Sequence, residues 1–417
     1  MKKSISGPHG ALLLLLGINL FNYIDRQILA ALEPDIRASF FASNDVNAMT
    51  KTGLYLGSAF FVTYMISAPI LGLLADRFSR WIIVGSAVIL WSLASGGSGL
   101  AATFAILFAT RICVGIGEGG YGPAAPTILS DLFPIEIRGR IMAIFCAAIP
   151  VGSALGYVIG GLVGAHLGWR WAFYFVAPPG LLLGLLCFWQ RDPRVGEHHL
   201  VQKSPRRSLA DYLRLFRTRS YVINCIAQTL MTFAAGGLGF WVPAYLRYRN
   251  QSPDVGMTIF GLITVVAGLV STLLGGVIAD RLRSRFAGSY FWVSGIGMLI
   301  ACPFFIVTLY SPFPAAWLPM FLAIFFLFLN TGPSNTALAN VSLPAVRATA
   351  FAVNIFVIHA FGDVQAFWLL GYIGGHTNMH VAFLFVSGII FISGLAWLIG
   401  AKYLPADTAA AETAGIN

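Results

Sequence analysis

The sequence predicts an all-α integral membrane protein with twelve transmembrane helices in two halves of six. The chain is 58% hydrophobic and only 10% charged, with a mean hydropathy of +0.79, whereas soluble proteins contain about 25% charged residues. Hydrophobic runs recur along all 417 residues, and each has roughly the 20 residues that a spanning helix needs. A long polar stretch separates the sixth run from the seventh.

The hydrophobic runs are predicted to be helices, because the alternation of polar and apolar residues that marks a membrane strand is absent. Short polar connections join most of them. The twelve predicted spans are 10–32, 53–75, 81–101, 104–129, 138–165, 171–190, 220–246, 256–279, 288–310, 315–341, 346–373 and 378–403.

The polar stretch 191–219 is predicted to be a cytoplasmic linker between two six-helix bundles, 1–190 and 220–404, with a cytoplasmic tail at 405–417. Within the linker, apolar residues recur at helical spacing among several arginines, which is typical of an amphipathic helix on an anionic membrane surface. These apolar residues are Leu209, Tyr212, Leu213 and Phe216. A merely solvated basic linker is the alternative.

The distribution of Lys and Arg predicts that both termini are cytoplasmic, because short cytoplasmic loops carry the excess of positive charge. Of the 26 basic residues, nineteen then lie inside and two within helices. The five on the outer side are Arg37, Lys51, Arg170, Arg247 and Arg249. Since the positive residues lie between hydrophobic runs and not on a soluble face, the net charge of +10 does not indicate a nucleic-acid partner.

The sequence contains no pattern that is typical of an enzyme. It has no hydrolase constellation, no phosphate-binding glycine loop and no metal-ligand spacing, and its five cysteines all lie in hydrophobic runs. We therefore expect no catalysis, no ATP drive, no cofactor and no metal.

One loop occurs twice. GLLADRFSR at 72–80 follows the second run and GGVIADRLRSR at 275–285 follows the eighth, so Asp76 and Asp280 are equivalent. Duplicated six-helix halves are common in secondary transporters, whose substrate site lies near the middle of the membrane. The charges of these loops either form a latch between helices or anchor helix ends. They are Asp76, Arg77 and Arg80 in the first half, and Asp280 and Arg281 in the second.

Five further motifs occur along the chain: NYIDR at 22–26, RICVGIGEGGYGP at 111–123, RGRIMAIF at 138–145, GWRWAF at 168–173 and HAFGD at 359–363. The twelve-span plan and the loop Gly72 to Arg80 resemble the major facilitator superfamily, and these five motifs are similar to its spinster branch. The resemblance covers nearly the whole chain. It implies the facilitator fold and a transport function, and we expect a bacterial homologue in the inner membrane.

Charged residues inside the first and fourth spans are candidates for function, because a charge at the centre of a spanning helix costs about 2.5–3.5 kcal/mol. At 100° per residue, Asn19, Asn22, Tyr23 and Arg26 share one stripe with Asp25 at its edge. We predict that this stripe binds substrate and that Arg26 contacts an anionic group.

On the fourth span, Arg111 and Glu118 share one face with two glycines that allow close helix contact. We predict that Asp25 and Glu118 exchange protons, since a desolvated carboxylate near a cation titrates as its surroundings change. The resemblance implies the same, because acidic residues on helices 1 and 4 are associated with proton coupling in such transporters. A static network of Arg26 or Arg111 with Glu118 is the alternative. Arg111 itself belongs to a gate or extends to the interface.

His359 and Asp363 lie one turn apart on the eleventh span and are either a second protonation pair or a polar contact between helices. In the spinster pattern, Gly-Asp is soon followed by Ser-Pro, whereas this chain continues Val364-Gln365-Ala366. The conformation of this part of the helix is therefore not predicted.

The distribution of polar residues indicates the substrate. Both intramembrane arginines lie in the first half, while the spans of the second half supply amides, hydroxyls and aromatic rings. This asymmetry suits an amphiphile with an anionic head, and the resemblance implies a lysophospholipid or sphingoid phosphate. Small organic acids or drug-like compounds also fit. A non-transporting receptor or scaffold is the alternative of another class, whereas a channel would need a continuous polar pore, which the seventh to tenth spans do not offer. We expect a monomer whose partners are its substrate, protons and membrane lipids.

Overall fold

The computed structural model describes residues 7–192, 215–343 and 346–414. Within these residues, twelve helices are long and apolar enough to cross a membrane, which confirms the predicted fold class. We number them as segments 1 to 12. Their bounds are Pro8–Phe40, Ala48–Ala75, Arg80–Gly99, Phe104–Leu132, Arg140–Leu167, Trp169–Cys187, Arg219–Tyr248, Pro253–Arg283, Ser289–Tyr310, Trp317–Val341, Thr349–His376 and Met379–Gly400.

Segment 1 extends eight residues beyond the predicted end at 32 and contains Pro34. A proline removes one backbone hydrogen bond, but membrane helices tolerate this when neighbouring groups stabilise the chain. Here the fully buried Glu33 accepts hydrogen bonds from Arg37 Nε at 2.9 Å and from Thr52 Oγ1 at 2.6 Å. These contacts stabilise the turn that follows the proline.

Three segments depart from a continuous α-helix. Segment 2 begins with a short α-helix, Ala48–Thr52, and a π-helical turn, Gly53–Ser58. Segment 11 contains a π-helical turn at His359–Asp363, directly before the residues where the sequence departs from the spinster pattern. Segment 10 is divided into Trp317–Phe328 and Thr331–Val341. The π-helical turns of segments 2 and 11 change the directions of nearby side chains, and turns of this kind are frequent at functional sites.

Segments 1 and 5 are in close contact along a stripe of glycines. A methyl group built on Gly152 or Gly156 would lie 2.6 Å from the carbonyl oxygen of Leu20 or Ile24, respectively. Only glycine allows the two backbones to approach so closely. The four-residue repeat of glycines in segment 5, at positions 152, 156 and 160, therefore serves tight packing.

The structure separates into two compact units. The first unit comprises Met1–Leu200 with Gly239–Val265 and Phe367–His376. These two added ranges are the ends of segments 7, 8 and 11 that the charge distribution places on the outer side. The second unit comprises Val201–Leu238, Val266–Ala366 and Thr377–Asn417. The outer ends of three second-half segments thus pack with first-half segments.

The C-terminal region forms a further helix, Leu404–Ala414, in the predicted cytoplasmic tail. Its Asp407 accepts hydrogen bonds from the backbone nitrogen of Ser220 at 2.8 Å and from its hydroxyl at 2.7 Å. The carboxylate thereby satisfies a free N–H at the start of segment 7. The amphipathic helix predicted in the linker falls mainly on residues 193–214, which lie outside the described residues.

The predicted orientation is tested by labelling single cysteines introduced at Asn44 and Ser284, in a background without native thiols. Both positions are exposed in the structure. We expect a membrane-impermeant maleimide added to intact cells to label the cysteine at 44, and to label that at 284 only after permeabilisation. Labelling of both from the same side would contradict the prediction that the termini are cytoplasmic.

Candidate functional site

An ion pair between segments 1 and 4 lies in the interior of the first unit. Arg26 Nε donates to Glu118 Oε2 at 2.7 Å, and Arg26 Nη2 lies 2.5 Å from the same oxygen. The Glu118 side chain is fully buried, whereas 18% of the Arg26 side chain is exposed. The Arg26 side chain is thus the accessible member of the pair.

Four aromatic rings surround the Arg26 guanidinium. Its central carbon lies 5.2 Å from the ring centre of Tyr23, 5.1 Å from Phe60, 5.7 Å from Phe61 and 5.4 Å from Tyr64. At these distances the ring faces attract the cation and shield it from water. The cage orients the guanidinium and strengthens its attraction for an anion, because the surrounding dielectric constant is low.

The three rings from segment 2 were not predicted from the sequence. FFVTY at 60–64 has the composition of a lipid-facing stretch, and nothing in its spacing distinguishes it from one. The close approach of segments 2 and 4 brings these rings to Arg26. A methyl group built on Gly115 would lie 2.5 Å from the Phe60 carbonyl oxygen and still closer to the Thr63 hydroxyl, which confirms that the segment 4 glycines allow close contact.

A second pair of opposite charges, Asp25 and Arg111, lies beside the first. Arg111 Nη1 is 3.8 Å from Asp25 Oδ2, and the Asp25 side chain also accepts a hydrogen bond from Ser95. Arg111 Nη2 donates to Ser98 Oγ at 2.7 Å. Arg111 is 1% exposed and its guanidinium lies 5.5 Å from the ring of Phe173. It therefore points into the bundle and does not extend to the interface.

The Asp25–Arg111 contact is looser than the Arg26–Glu118 contact. A separation of 3.8 Å exceeds hydrogen-bonding distance, and neither Asp25 Oδ2 nor Arg111 Nε has a hydrogen-bond partner among the described residues. Segment 3 supplies the two hydroxyls of this network, Ser95 and Ser98, which the sequence-based prediction missed. A short stretch of serines in an apolar helix carries no signal that it faces a charge.

The remaining residues of the predicted substrate stripe lie close to Arg26 but have different surroundings. Asn19 is 5% exposed and its Nδ2 donates to the carbonyl oxygen of Phe145 on segment 5 at 2.9 Å. Asn22 is 3% exposed. Tyr23 contacts the guanidinium through its ring face. Asn19 is therefore engaged within the bundle, while Tyr23 belongs to the surroundings of Arg26.

Arg80, in the first copy of the repeated loop, binds two carboxylates from outside that loop. The Arg80 side chain is 4% exposed, and its Nη2 lies 2.9 Å from Asp192 Oδ1 and 2.7 Å from Asp131 Oδ2. The backbone nitrogen of Arg80 also donates to Asp192 at 2.8 Å. Arg80 thus connects the start of segment 3 with the ends of segments 4 and 6, whereas Arg77 is exposed.

The other predicted loop charges are Asp76, Asp280 and Arg281. The side chain of Asp76 lies outside the described residues. In the second half, Asp280 Oδ1 accepts a hydrogen bond from Tyr290 at 2.9 Å, and Arg281 is exposed. The equivalent arginines of the two loops, Arg77 and Arg281, are thus both exposed.

Replacement of Asp192 by Asn tests the importance of the Arg80 contact for stability. The substitution keeps the shape but removes a buried charge that accepts three hydrogen bonds, so we expect a loss of about 1.5–3 kcal/mol in unfolding free energy. Asp131→Asn should cost less, because the Asp131 side chain is 43% exposed. The midpoint of thermal unfolding in detergent, measured for the parent and for each variant, compares their stabilities. Equal midpoints for the parent and Asp192→Asn would contradict the prediction.

His359 and Asp363 form a close pair within the π-helical turn of segment 11, with Nδ1 2.5 Å from Oδ2. Asp363 is 5% exposed and lies against Gly236 of segment 7, where an added methyl group would overlap its carboxylate. Both residues belong to the second unit. The pair therefore lies where segments 7 and 11 approach each other.

The buried amides of the second half bind one another. Gln228 Nε2 donates to Ser334 Oγ at 2.9 Å, and Asn354 Nδ2 donates to Gln228 Oε1 at 2.7 Å. Asn224 accepts a hydrogen bond from Trp397 Nε1 at 2.8 Å. This network links segments 7, 10, 11 and 12 within the second unit. It is neutral, in contrast to the charged network of segments 1 and 4.

The comparison with known proteins agrees with this architecture. Residues 15–364 match the family model described as Major Facilitator Superfamily. The chain is 32% identical to protein spinster homolog 3 of Danio rerio, over 96% of its own length and 86% of that protein. The chain belongs to the spinster family of the major facilitator superfamily. It is thus a multi-pass membrane protein of a transporter family, as its motifs predicted.

Two further matches extend the comparison. Over 85% of its length, this spinster-family chain is 32% identical to a sphingosine-1-phosphate transporter of Xenopus tropicalis, of which it covers 71%. Its fold is similar to the crystal structure of a bacterial homologue of the human lysosomal transporter spinster, in an inward-facing and unoccupied conformation. That match has a TM-score of 0.81, 21% identity and 98% coverage of both chains.

Proposed function

We propose that this spinster-family transporter is a proton-coupled secondary transporter that moves an anionic amphiphile by alternating access, in which the site opens in turn to the outer and the inner side of the membrane. The observation that carries the proposal is the Arg26–Glu118 pair, in which a partly exposed cation is held by a fully buried carboxylate. An anionic head group that reaches Arg26 competes with Glu118 for the same donors. Protonation of Glu118 releases the guanidinium for the substrate, and loss of the substrate allows the pair to re-form.

Asp25 is the second carboxylate of the proposed coupling. It faces Arg111 at 3.8 Å and accepts a hydrogen bond from Ser95, so its charge affects how segments 1, 3 and 4 pack. A change in proton affinity between two conformations is what links a proton gradient to a conformational change. We infer that Asp25 and Glu118, the carboxylates of the two neighbouring ion pairs, have this property.

The amphiphilic character of the substrate is supported by an open apolar groove of about 350 Å³ between segments 7 and 11 of the second unit. Val222, Ile226, Leu230, Val353 and Val357 line it. Binding pockets for small molecules have volumes of about 300–1,000 Å³ and are mostly apolar. A similar relative transports sphingosine-1-phosphate, which has a phosphate head and an apolar chain.

The proposal includes the arrangement that the sequence predicts. The protein is a monomer in a bacterial inner membrane, with both termini in the cytoplasm and the linker 191–219 between two six-helix bundles. Loop residues around Arg80 and Asp280 stabilise the inner ends of the helices. His359 and Asp363 hold segments 7 and 11 together.

The test uses purified protein in liposomes, loaded with labelled lysophospholipid, sphingoid phosphate or small organic acid, with and without an imposed pH gradient. We expect transport of a phosphate-bearing lipid to exceed that of the small acids and to respond to the gradient. Preferential transport of small acids would overturn the substrate class. Transport that ignores the gradient would overturn proton coupling, and tight binding without transport would identify a receptor.

A further inference from the structure

Phe367 of segment 11 is seated on two glycines of segment 2. It is 5% exposed. A methyl group built on Gly57 would lie 2.9 Å from Cγ and Cδ2 of the Phe367 ring, and a methyl group on Gly53 would overlap the Phe367 carbonyl oxygen. Both glycines lie in the π-helical turn Gly53–Ser58, on the predicted outer side. Because Gly53 and Gly57 have no side chains, segment 2 leaves a space that Phe367 fills; we call this space the seat of Phe367.

The outer end of segment 7 contacts the same residue. Trp241 Nε1 donates to the Phe367 carbonyl oxygen at 2.9 Å, and the rings of Phe240 and Phe367 are 5.0 Å apart. Both segment 7 residues are buried, as is Phe367. All these residues belong to the first unit. Phe367 thus joins the outer ends of segments 2, 7 and 11.

Phe61 connects this contact to the Arg26 site. Its ring lies 5.5 Å from the ring of Phe367 and 5.7 Å from the guanidinium carbon of Arg26. Phe61 is one helical turn after Gly57 on the same segment. A shift of Arg26 that displaces Phe61 therefore also displaces the seat of Phe367.

We propose that Phe367 is a wedge that closes the outer side of the transporter, and that Phe61 couples it to Arg26. The inference rests on the proposed alternating-access transport and adds the contact that must break when the outer side opens. The surface ion pair of Asp35 and Arg247 also joins segments 1 and 7. Its two side chains are each 31% exposed, so water weakens it, whereas the wedge is buried.

The test measures outer-side accessibility without any substrate. Met49 is 8% exposed and packs beneath Gly371 and Gly375 of segment 11. A single cysteine at position 49, in a background without native thiols, should react slowly with a membrane-impermeant maleimide. We expect Phe367→Ala and Gly57→Ala each to accelerate the reaction about tenfold or more, because both unseat the wedge and shift the population toward the open state.

Gly388→Ala is the matched control, because a methyl group at Gly388 meets nothing within 4 Å. It should leave the labelling rate unchanged. Phe367→Leu keeps most of the volume and serves if Phe367→Ala does not fold. It should give an intermediate rate. Unchanged labelling in all folded wedge variants would overturn the proposal, whatever the outcome of the transport assays.

A double variant distinguishes loss of the contact between Gly57 and Phe367 from a general destabilisation of the helix packing. Gly57→Ala and Phe367→Ala act on one contact, so together they should accelerate labelling scarcely more than either alone. Multiplication of the two effects would show that the residues act independently. For the coupling, Glu118→Gln should change the labelling rate when Phe61 is present and not in Phe61→Leu. Equal responses in both backgrounds would remove Phe61 from the proposal.

Discussion

Gradient-driven uptake is expected to disappear when Glu118 is replaced by Gln. Glutamine has the shape of the protonated acid and never carries the negative charge of the carboxylate. The ion pair in which Arg26 Nε and Nη2 lie 2.7 and 2.5 Å from Glu118 Oε2 therefore cannot form and break with pH in this variant. Only a difference in proton affinity between two states couples a proton gradient to transport. We expect the initial rate of concentrative uptake in liposomes to fall to the rate measured in vesicles without protein.

Asp25→Asn is expected to have the same effect through the other pair. The asparagine retains the contact with Ser95 but loses the attraction to Arg111. Exchange of labelled for unlabelled substrate without a gradient should persist in both variants, since it requires alternation but no net proton movement.

Asp45→Asn is the matched control for both substitutions, because it is the same chemical change in the connection between segments 1 and 2. Lys51 hydrogen-bonds the Asp45 carboxylate and lowers its pKa, so this loop acid stays ionised at neutral pH. The control should transport like the parent. If Glu118→Gln and Asp25→Asn both concentrate substrate with the pH dependence of the parent, the two carboxylates are structural.

Substrate binding is expected to be lost in Arg26→Ala and weakened in Arg26→Lys. Lysine keeps the charge, but it lacks the planar guanidinium that binds phosphate through two donors and that rests between the four rings. One hydrogen bond to a charged group is worth about 1.5–3 kcal/mol. We therefore expect the dissociation constant of a phosphate-bearing lipid to rise roughly 10- to 150-fold in Arg26→Lys.

Isothermal titration or quenching of intrinsic fluorescence measures this affinity. Arg285→Lys, at an exposed position, is the matched control and should bind like the parent. Because Arg26 also neutralises the buried Glu118, the thermal stability of each variant has to be compared with the parent. Unchanged affinity in a folded Arg26→Ala protein would exclude Arg26 from the substrate site.

Several properties of the protein follow from its sequence because they depend on the chemistry of single residues. The hydrophobic runs predict twelve helices, since an apolar solvent requires every backbone group to be paired within the helix. Charges in segments 1 and 4 stand out for the same reason, because they are costly in that solvent. The glycine repeat of segment 5 predicts close packing, which the short distances to segment 1 confirm.

The tertiary structure decided which of the charged residues of segments 1 and 4 form pairs. The sequence allowed either Arg26 or Arg111 to bind Glu118, and the packing of segments 1, 3 and 4 directs Arg26 to Glu118 and Arg111 to Asp25. Asp192 and Asp131 are likewise far from Arg80 in sequence. Pairing of this kind depends on helix register and rotation, which are set by many weak contacts at once.

The sequence alone also gave no sign of the aromatic cage or of the Phe367 seat. In a chain that contains 33 phenylalanines, a ring beside a guanidinium has the same local pattern as a ring that faces lipid. The cage exists because Gly115 lets segments 2 and 4 approach, and the seat exists because Gly53 and Gly57 leave room on segment 2. Residue type and period determined which helices form. Shape complementarity between helices, which has no period, decided which side chains meet Arg26.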